Sequence, residues 1–196
     1  MTQRGPRTLD TDFTSVLDLH RQWVDSAGRS GVRADLSGVD LTNVDLSGVD
    51  LGAAMMRGAV LRGAKLRHSI LAMADMSLVD ARGADLTLAD LRGSMMERAN
   101  LGGAILDGVR AKPTLLRGGH LWPTSLVSAR LGQACLVSAD LDMAVMARAD
   151  LTGADLRRAN LTRASLVEAT LTAAKLDQAI LDRADLTGAI GMEPSR

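Results

Sequence analysis

Residues 34–53 read ADLSGVDLTNVDLSGVDLGA, and the spacing within them decides the fold. Leu36, Leu41, Leu46 and Leu51 recur every fifth residue, and the same register continues without a break to Leu186. It holds 31 positions: 25 are Leu, four are Met (Met56, Met76, Met96, Met146) and two are Ala (Ala81, Ala111). Two residues before each stands a small one, 21 times Ala and five times Val. The exceptions are Ser69, Ser94, Thr114, Gly119 and Thr124.

A period of five suits neither regular element. On a helix, a step of five residues turns about 500°, so the Leu positions would spiral around the axis instead of forming a stripe. In a plain strand an odd step sends successive Leu to opposite faces. Leucine-rich repeats recur over about 20–29 residues. The remaining solution is a chain that turns a corner every five residues. Large and small apolar residues then alternate on the inside, and four short sides close one coil.

The strings Ala34-Asp35-Leu36-Ser37-Gly38, Ala84-Asp85-Leu86, Ala149-Asp150-Leu151-Thr152-Gly153 and Ala159-Asn160-Leu161-Thr162 resemble the pentapeptide repeat family, whose pattern is a tandem A-(D/N)-L-x-x. The resemblance implies an all-β fold, a right-handed quadrilateral parallel β-helix with Leu and Ala inside. Four pentads per coil then predict about eight coils in a rod about 37 Å long, at the spacing of stacked strands. The residue before each Leu and the two after it face outward.

Both ends differ from the repeat. Phe13, Val16, Leu17, His20, Trp23 and Val24 recur at helical spacing, which predicts an amphipathic helix over residues 11–28, with Gly28 and Gly31 at its exit. A solenoid needs its first coil covered. Phe13, Leu17, His20 and Trp23 are the expected capping residues, His20 facing the core. No helix-forming stretch follows Leu186, so the last coil, near Ile180 and Ile190, is expected to stay uncovered and to invite end-to-end contact in a homodimer. The chain thus divides into 1–33 (tail and capping helix), 34–188 (repeat) and 189–196 (tail).

The outward positions carry the functional information. Asp35, Asp40, Asp45 and Asp50 make the first coil acidic, and Arg57, Arg62, Lys65 and Arg67 make the second basic, which predicts cross-coil pairing. The least regular stretch runs from Arg110 to Gln133 and holds Pro113, His120, Trp122 and Pro123. Its register is intact, which reads as a continued coil with no inserted loop, Trp122 projecting outward. On a 20-residue coil, Met95, Leu115 and Cys135 fall on one column, with Val137 beside it. This apolar patch, with Trp122, is the candidate partner surface.

Composition limits the chemistry. Lys and Arg total 23, as do Asp and Glu, so the 196-residue chain is neither a strongly basic nucleic-acid binder nor a polyanion. His20, His68 and His120 stand apart, and Cys135 is the single cysteine, so no metal-ligand spacing and no disulfide framework exist. Asp75, Asp80, Asp85 and Asp90 encircle a coil where acid–base chemistry needs convergence on a concave site. No catalytic, cofactor-binding or metal-binding residue is expected. The polar start and the absence of a long apolar run predict neither a secretory signal nor a membrane span. The lone thiol fits a reducing compartment, here the bacterial cytoplasm. The function read from this is a non-enzymatic scaffold or protein-interaction rod. The resemblance implies an alternative, a DNA-mimicking partner of DNA gyrase or another type II topoisomerase. The balanced charge, the Leu core and the missing C-terminal helix all count against that alternative.

Overall fold

A computed structural model of the chain describes residues 13–115 and 121–192. It opens with helix α1 (Phe13–Asp25). The helix ends by hydrogen-bond geometry: Gly28 N–H reaches the Trp23 carbonyl and Ala27 N–H the Val24 carbonyl, while Ala27 takes the left-handed conformation at φ 53°. The chain then folds back at Gly31 (φ 75°), where a Cβ would lie 2.3 Å from the Leu19 carbonyl oxygen. Only glycine fits there.

From Ala34 the chain winds in coils of 20 residues with four sides. Asp35, Asp40, Asp45 and Asp50 bridge in parallel to Met55, Val60, Lys65 and Ile70 one coil on. Each side is a single bridge long, so the ladder is built from short hydrogen-bonded rungs: Leu36 N–H donates to the Met55 carbonyl at 2.7 Å and Met55 N–H to the Ala34 carbonyl at 3.0 Å. Each corner is a β-turn, as where Val39 N–H returns to the Leu36 carbonyl at 3.1 Å. The third turn residue takes positive φ, at Gly38 and Gly48 but also at Asn43, Ala53 and Leu78.

The turn explains the residue before Leu. The Asp35 carboxylate accepts the N–H of Ser37, Asp40 that of Thr42, Asp85 that of Thr87 and Asp150 that of Thr152. These are Asx bonds two residues along, which hold the corner shut. Inside, the Leu, Met and Ala columns form one continuous core from Ala34 to Leu171. The hydroxyls of Ser69 and Ser94, buried at small positions, donate to the Leu66 and Leu91 carbonyls three residues back.

The continuous-coil reading of the middle stretch is overturned. Met95 bridges to Ser125, Asn100 to Arg130, Ile105 to Cys135 and Arg110 to Asp140, each 30 residues on instead of 20. Ten residues therefore leave the coil, and an antiparallel ribbon forms between β1 (Thr114–Leu115) and β2 (Leu121–Trp122). The register survived in sequence because ten is two whole pentads. The stack is accordingly about seven coils, roughly 35 Å long, not eight.

Candidate interaction surfaces

The insertion rearranges the predicted patch. Half a coil of extra chain turns every later residue two sides round the rod. Met95 therefore stacks on Ser125, and the Met95–Leu115–Cys135 column does not form. Cys135 lies on the opposite side, in the column Lys65, Asp85, Ile105, Cys135, Asp155. Leu115 and Trp122 belong to the ribbon, where Leu115 pairs with Leu121 and Thr114 with Trp122. The orientations of the Leu115 and Trp122 side chains lie outside the described residues, as does His120.

Two separate apolar areas replace the single column. Around Cys135, half-buried like Val137, stand the exposed Ile105 and Leu88. Burial and the neighbouring Asp107 carboxylate push the Cys135 thiol above its ordinary pKa, which makes it a poor nucleophile. The other area was not anticipated. On the Met95 side the outward positions beyond the insertion are Ser125, Val145 and Ser165, followed at the corners by Val127, Ala147 and Val167. All six are half-buried. The strip carries no charge until its edge, where Arg148 and Glu168 pair at 2.7 Å. It begins at a shallow hollow of about 260 Å³ between Met95, Glu97, Pro123, Ser125 and Val145, beside the foot of the ribbon. A sequence signal for it existed in the three consecutive exceptions at the small position, Thr114, Gly119 and Thr124, which mark where the column count must restart.

The remaining surface is charged but locally neutralised. One side carries Asp40, Asp80 and Asp150 against Arg62, Arg82 and Arg130. Asp80 is held at about pKa 2 by the Arg82 guanidinium and, beside it, by Arg62. Arg67 reaches Asp85, Arg92 bonds Asp90, Arg157 bonds Asp155 and Arg163 bonds Asp142. Of the second-coil bases expected to pair backwards with the first, Lys65 does so with Asp45, while Arg62 and Arg67 reach forward instead. Among the described residues these pairs set a base beside carboxylates on three of the four sides.

The two ends are unlike. At the first coil Phe13, Val16 and Leu17 pack against the core. His20 is buried at the seam and stacks on half-buried Trp23 at 5.7 Å. At the last coil Leu176, Leu181 and Leu186 are only half-buried, while Ile180 and Ile190 are 47% and 60% exposed. A depression of about 870 Å³ opens there between Leu171, Leu176, Leu181 and Met192. Among the described residues the ladder ends with Ile190. Also among them, no His, Cys, Asp and Glu group has the spacing to hold a metal ion, and no helix is long and apolar enough to cross a membrane.

Comparison with known proteins agrees with this geometry at the insertion. The family model described as pentapeptide repeats matches residues 34–72, 74–110, 124–163 and 164–190 in eight copies. Its gap between 110 and 124 brackets the ribbon. Among solved structures, the chain is similar to trypsin-treated QnrB1, a plasmid-mediated fluoroquinolone resistance protein. The identity is 16%, over 81% of this chain and 83% of that one, with a TM-score of 0.42. It is also similar to HetL, a pentapeptide repeat protein involved in heterocyst differentiation regulation from the cyanobacterium Nostoc sp. Here the identity is 30%, over 88% of this chain and 96% of that one, with a TM-score of 0.27. A pentapeptide repeat protein of the Arabidopsis thaliana thylakoid lumen is 28% identical over 69% of this chain and 71% of that one, with a TM-score of 0.25. No curated protein matches the chain.

Proposed function

The chain belongs to the pentapeptide repeat family, and from that premise we propose that it is a non-enzymatic protein-interaction rod with the family's right-handed coil. The observation that carries this reading is the uncharged strip Ser125, Val127, Val145, Ala147, Ser165 and Val167 beside the ribbon, bordered by the Arg148–Glu168 ion pair. Among the described residues the interior is filled by Leu, Met and Ala, so no internal cavity is offered to converging catalytic groups. A protein partner with an apolar contact surface fits such a strip. The described part of the expected 1–33 segment serves as the cap, and the coil, broken by the ribbon, runs from Ala34 two residues past the expected boundary at 188, to Ile190. A bacterial, cytoplasmic setting is consistent with the unpaired Cys135 thiol.

The open last coil supports a second element of the proposal, that two copies meet there. Its edge groups turn a corner every five residues, so a straight peptide strand cannot follow them, whereas the end of another coil can. Sedimentation velocity reads this directly, and a monomer at every concentration removes it.

The competing reading, a gyrase-binding DNA mimic, requires a long negative face to stand in for phosphates. The Arg–Asp pairing on three of the four sides argues against it. A gyrase supercoiling titration separates the two, with no inhibition expected up to a large molar excess. Inhibition at sub-micromolar protein would overturn the proposal. On the interaction reading, Val145→Arg abolishes capture of the partner while Ile105→Arg on the opposite side leaves it intact. Equal effects of the two variants would count against the strip.

A further inference from the structure

His20 is the one fully buried residue of α1. Its ring joins the helix to the first residue of the coil: Ala34 N–H donates to Nδ1 at 3.1 Å. The ring lies nearly parallel to the Trp23 indole, at 12° between planes. Nε2 is buried and has no hydrogen-bond partner among the described residues. An imidazole that accepts at Nδ1 carries its proton on Nε2 and is neutral. The rest of the contact is light, since Phe13, Val16 and Leu17 are only partly buried against the core.

We propose that His20 is a proton-operated latch: when its ring takes up a proton, α1 is released and the leading edge of the first coil is uncovered. Protonation puts an N–H at Nδ1 directly against the Ala34 N–H, so two donors face each other and the bond is lost. It also places a positive charge where water does not reach. The charged groups facing the ring from the coil side are Asp50, which favours the charged form, and Arg33, which opposes it. The Gly52 carbonyl also faces the ring and favours a proton without closing a hydrogen bond. Burial outweighs these favourable contacts, and the His20 pKa lies below the ordinary 6.5. The released helix returns the ring to water and to that ordinary value. Docking is therefore fully supported above pH 6.5 and weakens as pH falls from there through the lower docked value. Over that window the ratio of released to docked helix rises by up to about tenfold per pH unit, the slope for one proton.

The test is a pH titration of the full chain by NMR from pH 8 to 4.5, following the His20 ring, the Trp23 indole N–H and the Ala34 amide. The expected result is that His20 titrates below 6.5, that the Trp23 and Ala34 signals change in step with it, and that ladder amides such as Val60 and Lys65 stay constant. In His20→Gln, the side-chain oxygen can accept the Ala34 N–H without titrating, so the Trp23 and Ala34 signals are expected to hold throughout. A transition that persists in this variant overturns the proposal. Should the variant fail to fold, the unmodified chain decides alone. His20 titrating at or above 6.5 with Ala34 unmoved, or Ala34 moving while His20 stays neutral, overturns it.

Discussion

Thr124 is the residue on which the excised ribbon depends. At other corners the N–H of the positive-φ residue donates to a carbonyl one coil on, as Gly83 does to Gly102 and Gly103 to Gly132. At Gly93 that carbonyl would come from Lys112, but there the chain is leaving the coil. The Thr124 hydroxyl substitutes for it, accepting Gly93 N–H at 3.0 Å and donating to the Leu91 carbonyl at 2.8 Å, with no exposure to solvent. Thr124→Val keeps the shape and removes the hydroxyl. The Leu91 carbonyl still receives the N–H and the hydroxyl of Ser94, so a single buried donor, Gly93 N–H, is orphaned. One such group costs about 1–3 kcal/mol. Thr124→Ser keeps the hydroxyl and loses one methyl, about 0.8 kcal/mol. The more apolar substitution at a core position is thus the more damaging one. Urea unfolding should rank the stabilities native, Ser, Val. At about 2 kcal/mol, exchange of the Gly93 amide should accelerate about thirtyfold in the Val variant. A Val variant at least as stable as the Ser variant, with Gly93 protection unchanged, would refute the assignment.

Two further outcomes follow from the same geometry. Deleting residues 114–123 removes two pentads and should leave a folded chain, because Thr124 then continues the side that Pro113 ends; deleting nine residues instead should abolish cooperative unfolding, since every later Leu leaves its column, and circular dichroism melts compare the two. Asp80 has its pKa lowered from 3.8 to about 2, so its stabilisation is fully present above pH 3.8 and is lost as pH falls through 2; after allowance for solvent screening, Asp80→Asn should cost about 1–2 kcal/mol at pH 7 and under about 0.5 kcal/mol at pH 2, read from denaturation midpoints at both pH values.

The coil was legible because its determinants are local. A Leu every fifth residue, a small residue two before it and Asp or Asn just before it specify side, corner and interior within five residues. The location of α1 was legible for the same reason, although it ends at Asp25 where the spacing suggested 28. What could not be read was adjacency between coils, a property of residues 20 apart that any insertion resets. An insertion of two pentads leaves the local pattern untouched and still turns the rest of the rod by two sides. That is why Met95 and Cys135, neighbours on paper, stand on opposite sides, and why the strip from Ser125 to Val167 did not emerge from a fixed 20-residue count. The three small-position exceptions were the trace of it, and the structure explains the last of them, Thr124. A corner that loses its carbonyl needs a side chain to take the stranded N–H, and neither Ala nor Val has one.

The acidic positions make a related point about function. Asp stands just before the large inward residue at 12 of the 31 repeats, and in the first coil at all four, which looks, as composition, like the makings of a negatively charged rod. In the structure these carboxylates are first of all corner locks, bonded to the N–H two residues on, as in Asp40, Asp85 and Asp150. Many then receive an arginine from the same or an adjacent coil. Because the lock is local and the pairing is not, a relative could keep every Asp and lose the arginines without disturbing the coil. The potential of such a rod is therefore set by the residues after Leu, at Arg62, Arg67, Arg82, Arg92 and Arg157, while the Asp positions report only that the chain turns. In this chain those arginines are present, and what they leave uncovered is the uncharged strip.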